Sequence, residues 1–123
     1  MAETWSFDGT ASVTPDTAVH GIRARIAEGR LETWLHSSAG RALAFVTNAE
    51  RAMVMLVDEP GDPGGHATSP GAEGRSGGFV LANGQADEYP DADTVPLAEA
   101  FRIVRHAIAH GSPPPDAAWA ADR

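Results

Sequence analysis

Apolar residues recur along this chain with two different periods, and the periods divide it into helices and strands. Val19, Ile22 and Ile26 fall at i, i+3 and i+7, which places them in one stripe of a 3.6-residue repeat. Thr14-Pro15-Asp16-Thr17 precedes them as a helix start, with Thr14 as N-cap, Pro15 in the first helical position and Gly29 as the C-cap. A second stripe, Leu97, Phe101, Val104 and Ile108, predicts a helix that Asp93 or Thr94 caps, with Pro96 in its first turn. Gly111 stops that helix after His110, and Pro113-Pro114-Pro115 bars any continuation.

Between the helices the pattern is strand-like. Leu31–His36, Ala42–Thr47 and Ala52–Asp58 read as three strands, the last two joined by a short connection over Asn48–Arg51. Their near-continuous hydrophobicity marks central strands covered by a helix on one face. Phe79–Ala82 and Gln85–Tyr89 flank Asn83-Gly84, a pair suited to a type I′ turn with positive φ at both central residues. Pro60–Gly78, with seven glycines and three prolines, is expected to be a long loop. The tail Asp116–Arg123 carries Trp119 and is expected to return as an edge strand or packed extension. The order of elements predicts an α+β fold, an antiparallel sheet of about five strands with two main helices packed on it. A chain of 123 residues fits a single domain over 1–123.

Charge changes the functional picture more than the fold. The net charge is −8, and Ala52–Phe101 alone holds nine acids against Arg75. A field of that sign repels nucleic acid and attracts basic partners. Asp58, Glu59 and Asp62 form one acidic group, and Asp87, Glu88 and Asp91 form another around Tyr89. These seven residues are the candidate partner-binding set. No apolar run approaches the ~20 residues that a bilayer crossing needs. The start of the chain has neither the basic nor the apolar part of a secretory signal, and cysteine is absent. A cytoplasmic protein with no membrane partner is the expectation.

Candidate chemistry is sparse. His106 and His110 have a spacing that can share a metal, but Ala107 stands where a zincin carries Glu. His20, His36 and His66 have no activated nucleophile beside them in sequence. Asp87-Glu88 and Asp58-Glu59 are adjacent acids, which a strand directs to opposite faces rather than to one reacting atom. The run Gly71–Gly78 lacks the lysine of a P-loop, and Asp58–Asp62 lacks EF-hand spacing. The residues therefore predict no catalytic set, metal or cofactor. A small hydrolase using an unpaired histidine is the weakest of the readings.

The stretch Gly77–Trp119 adds a resemblance. Its GGFVLANGQ strand and turn, the acidic arm Ala86–Pro90 and the segment VPLAEAFRIVRHAIAHGSPPPDAAW together resemble immunity protein family one of bacterial polymorphic toxin systems. In that family a strand pair leads to an amphipathic helix, a turn punctuated by Gly and Pro, and a late tryptophan. The likeness covers about the last third of the chain and carries no catalytic residues. It implies an immunity protein, or antitoxin, that occludes the active site of a cognate toxin, such as a nucleic-acid deaminase with a basic cleft. An acidic regulatory or interaction module with an unrelated partner is the alternative.

Overall fold

The computed structural model describes residues 3–7, 11–59 and 61–122, and over these the fold is α+β. Ten strands and two helices follow in the order β1 (Trp5–Phe7), β2 (Ser12–Val13), α1 (Pro15–Ala27), β3 (Glu32–Ser37), β4 (Ala42–Thr47), β5 (Arg51–Val57), β6 (Gly65–Ala67), β7 (Arg75–Val80), β8 (Ala86–Pro90), β9 (Val95–Pro96), α2 (Leu97–His110) and β10 (Trp119–Ala121). Eight strands form one antiparallel sheet in the order β10-β6-β5-β4-β3-β1-β2, with β9 pairing the start of β5. Strands β7 and β8 form a separate two-stranded arm.

Both helices lie on one face of the large sheet. Thr14 caps α1 through a reciprocal pair: its hydroxyl oxygen accepts the Thr17 N–H at 3.1 Å, and the Thr17 hydroxyl oxygen accepts the Thr14 N–H at 2.8 Å. The C-cap is Glu28 rather than Gly29; Gly29 follows with φ +80, the left-handed position that closes the turn. Helix α2 ends as expected on Gly111, whose φ is +79 and whose N–H donates to the Ala107 carbonyl. Its beginning differs from the expectation. Pro96 holds the cap position, the Leu97 N–H donates to the Glu50 carbonyl in the β4–β5 turn, and neither Asp93 nor Thr94 caps the helix. Those two side chains are held by other partners, described below.

The core lies between helices and sheet. Val19, Ile22, Phe101, Val104 and Ile108 are buried there against Leu35, Leu43, Phe45, Val54 and Leu56, while Ile26 and Leu97 are half-buried at its margin. Phe101 stacks on Phe45 with centroids 5.5 Å apart, and the Arg23 guanidinium lies 4.3 Å over its ring. The buried set on α2 is wider than the four-residue stripe, since Ala100, Ile103 and Ala107 are also covered.

Three further features differ from the expectation. Strands β1 and β2 were absent from the expected set; they extend the sheet beyond β3 through Trp5, Ser6 and Phe7. The expected loop over 60–78 contains β6 and the start of β7, and Pro60 lies outside the described residues. Strand β6 forms because Met55 and Leu56 offer an unpaired edge, and Trp119 then packs so closely over Gly65 that a Cβ there would collide with the indole nitrogen. The β7–β8 turn is not type I′: the Gly84 N–H donates to the Leu81 carbonyl and only Gly84 has positive φ, so the loop is three residues long. The tail returns as β10 on the sheet edge, as expected.

Candidate protein-docking surface

Strand alternation gives the sheet a second face, away from the helices. The pairing of β3, β4 and β5 sets out three rows on it: Glu32, Val46 and Met53; Trp34, Ala44 and Met55; His36, Ala42 and Val57. Trp34, Ala42, Met53, Met55 and Val57 are half-buried, and His36 is exposed. Trp34 and His36 stack with centroids 6.5 Å apart. Beside the last row lies a depression of about 260 Å³ that reaches Glu59.

The β7–β8 arm lies over the first row. Phe79 is fully buried yet stands apart from the helix-side core, and Tyr89 meets it edge-on at 4.9 Å. Two hydrogen bonds clip the arm down: Asn48 Nδ2 donates to the Gly77 carbonyl at 3.0 Å, and the Ala82 N–H donates to Glu32 Oε1 at 2.8 Å. The other oxygen of Glu32 accepts the Trp34 indole N–H at 2.8 Å. One carboxylate thus ties the arm's tip to the aromatic floor.

Arg51 anchors the base of the arm. Its guanidinium donates to Thr94 Oγ1 at 2.7 Å, to Ser69 Oγ at 3.1 Å and to the carbonyls of Asp91 and Thr94. Asp91 accepts the Ser76 hydroxyl at 2.5 Å and lies 3.9 Å from Arg51 Nε. A planar fork with five donors suits this cluster in a way that an ammonium would not. Thr94, with no exposed surface, therefore belongs to this network.

The seven candidate partner-binding residues separate into two places. Asp87, Glu88, Tyr89 and Asp91 share the arm, whereas Asp58, Glu59 and Asp62 stand past the far end of β5. Seven residues of strand separate Arg51 from Asp58, or about 23 Å. Within each place the side chains differ in availability. Glu88 is exposed but ion-paired with Arg75, Asp58 is ion-paired with Arg41 at 2.9 Å, and the Asp62 carboxylate accepts the Asp58 N–H. Asp91 is occupied by Ser76 and Arg51. Asp87 accepts the Tyr89 hydroxyl at 3.4 Å and a Gln85 amide N–H at 2.7 Å. Burial first, then the Asp87 charge, raises the Tyr89 phenol above the ordinary tyrosine value. Glu59 is exposed and has no ion pair among the described residues.

The apolar rows between these two places were not in the candidate set. Their signal was present in the continuous hydrophobicity of β4 and β5, which leaves a second apolar face once helices cover the first.

Catalytic geometry is not evident among the described residues. His66 sits between two carboxylates, with Asp122 Oδ1 2.7 Å from Nδ1 and Asp93 Oδ1 3.0 Å from Nε2, so neither ring nitrogen faces a substrate. His106 and His110 have ring centroids 4.5 Å apart, but His106 Nδ1 lies 2.7 Å from the Ser112 carbonyl oxygen. Among the described residues no group of three His, Cys, Asp or Glu side chains is placed to share a metal ion, and no helix is long and apolar enough to cross a membrane. A cleft of about 580 Å³ opens between Arg41, Asp58, Asp62 and Trp119. Its Arg41 is already engaged by Asp58 and Glu3. No family model matches the chain, and no curated protein matches it in sequence.

Proposed function

We propose that this chain is an immunity protein, an antitoxin that binds a cognate bacterial toxin and occludes its basic, nucleic-acid-gripping active site. The observation that carries the reading is the acidic arm, held to the sheet by Arg51, Asn48 and Glu32, with Glu88 exposed on its outer side and Asp87 half-buried beside Tyr89. A pre-organised acidic projection loses little entropy on docking and steers a cationic partner toward it. The resemblance of Gly77–Trp119 to immunity protein family one supplies the class of partner. A nucleic-acid deaminase is the toxin chemistry that resemblance favours. In this reading the chain binds rather than catalyses, needs no cofactor, and acts in the cytoplasm, where such a toxin finds nucleic acid.

The test uses the protein encoded beside this chain's gene, purified with its own activity disabled. Association should be fast at low salt and slow steeply as salt is added, because screening shortens the reach of the acidic field. The double substitution Asp87→Asn with Glu88→Gln should slow association several-fold with little change in thermal stability, since Glu88 is exposed and Asp87→Asn keeps a side-chain oxygen that can accept a hydrogen bond. It also leaves Arg75 without its ion-pair partner. An unchanged association rate would remove the arm from the contact. Failure of the two proteins to associate under any salt condition would contradict the immunity reading and favour an acidic interaction module with a different partner.

A further inference from the structure

We infer that the helix-free face of the sheet is a docking floor for a partner segment that carries an apolar side chain flanked by arginine or lysine. The inference rests on the immunity reading for the partner's identity, but its geometry comes from the floor itself. Trp34, Ala42, Met53, Met55 and Val57 form contiguous rows across three hydrogen-bonded strands, all partly open to solvent. Contiguous exposed apolar surface of this kind marks interaction sites, and tryptophan and methionine are among the residues enriched in them. Methionine also adapts its shape to an incoming side chain.

The charges around the floor select the occupant. Glu32 and Asp87 border one end and Glu59 the other, and none of the three has an ion-pair partner among the described residues. Several nearby cations are already engaged: Arg41 by Asp58 and Glu3, Arg75 by Glu88, and Arg51 within the base of the arm. Arg30 stands beside Trp34 at the β3 margin, close to Glu28. An apolar segment with a cation on each side would place its centre on Trp34 and Met55 and its charges against the two acidic ends. A second copy of this chain fits poorly, because two-fold docking would face these acids with their own equivalents, in a chain of net charge −8. Acids at the two ends of the floor can thus serve one contact across it.

The probe is a short synthetic peptide with a leucine-rich centre and arginines on both sides. Two controls replace the arginines by glutamate or the centre by serine. Met53 and Met55 are two of only three methionines in the chain, so methyl-labelled methionine NMR reads the floor directly. The arginine-flanked peptide should move both methyl signals saturably, and neither control should. Met55→Gln should weaken that binding about tenfold while thermal stability holds, since the side chain is only half-buried. Silent methyl signals with the arginine peptide would overturn the inference. So would equal response to the serine-centred peptide, which would mean attraction by charge alone. Methyl shifts that depend on protein concentration without peptide would assign the floor to self-association and overturn it as well. A responding floor in a chain that ignores its neighbour-encoded protein would end the immunity reading alone. A bound neighbour that leaves the methyl signals unmoved would end this inference alone.

Discussion

Tyr89 concentrates several of the local effects in one side chain. Its ring is edge-on to buried Phe79, and its hydroxyl faces the Asp87 carboxylate. Loss of water around the phenol and the neighbouring negative charge both favour the neutral form, so its ionisation is pushed upward. The sign of the linked stability follows. In the unfolded chain the phenol loses its proton near the ordinary value, earlier than in the fold, so the stabilisation is complete below that value. It is lost as pH rises through the folded value. Because the chain has a single tyrosine, its ultraviolet titration isolates this group. The midpoint should lie above that of a free tyrosine. Asp87→Asn should lower it only in part, because burial is the larger cause. A midpoint at the free-tyrosine value would mean that the arm does not stay down on the sheet. Asp93 shows a different residue-level lesson. Its position before α2 suited a helix cap, but a carboxylate 3.0 Å from His66 Nε2 makes a long-range contact that no local pattern encodes.

Among the elements, α2 has the most direct route from sequence to structure. Its stripe, its Gly111 stop and its place on the sheet all follow from a 3.6-residue apolar repeat ended by a left-handed glycine. Phe101→Ala should destabilise the protein by about 3–5 kcal/mol, because it removes a ring stacked between Phe45 and Arg23 and leaves a cavity. Denaturant unfolding measures this, and a loss below about 1 kcal/mol would mean the helix-on-sheet core is not the main source of stability. Strand β4 was equally legible, with boundaries at Ala42 and Thr47. The elements that sequence did not reveal share one property: tertiary partners create them. Strand β6 is Gly-His-Ala, a sequence with little strand preference, and it exists because β5 presents an open edge and β10 returns to cover the other side. Strand β1 is three residues long, too short for a period to register, and is held by pairing with Leu35–Ser37. Of the candidate site, the acids on the arm were legible from composition. The apolar floor was legible only in part: the continuous hydrophobicity of β4 and β5 marks a second apolar face, but not whether another layer covers it.

At the level of the whole molecule, the two faces of the sheet have different roles. One carries the helices and the core. The other holds the acidic arm at one end, Glu59 at the opposite end and an apolar surface between them. In the proposed reading, the net charge of −8 adds a long-range field that would draw a basic partner toward this face before any contact forms. Complementary charge speeds the encounter and apolar contact slows release, so a tight inhibitor benefits from both on one face. The most direct test of this account is growth of a bacterial strain induced to make the protein encoded beside this chain, with and without the chain itself. The partner alone should arrest growth, and co-expression should restore it. A folded variant combining Trp34→Ala, Met55→Gln and Asp87→Asn should restore it far less. Continued arrest while both unaltered proteins accumulate would contradict the proposal that this chain neutralises a toxin.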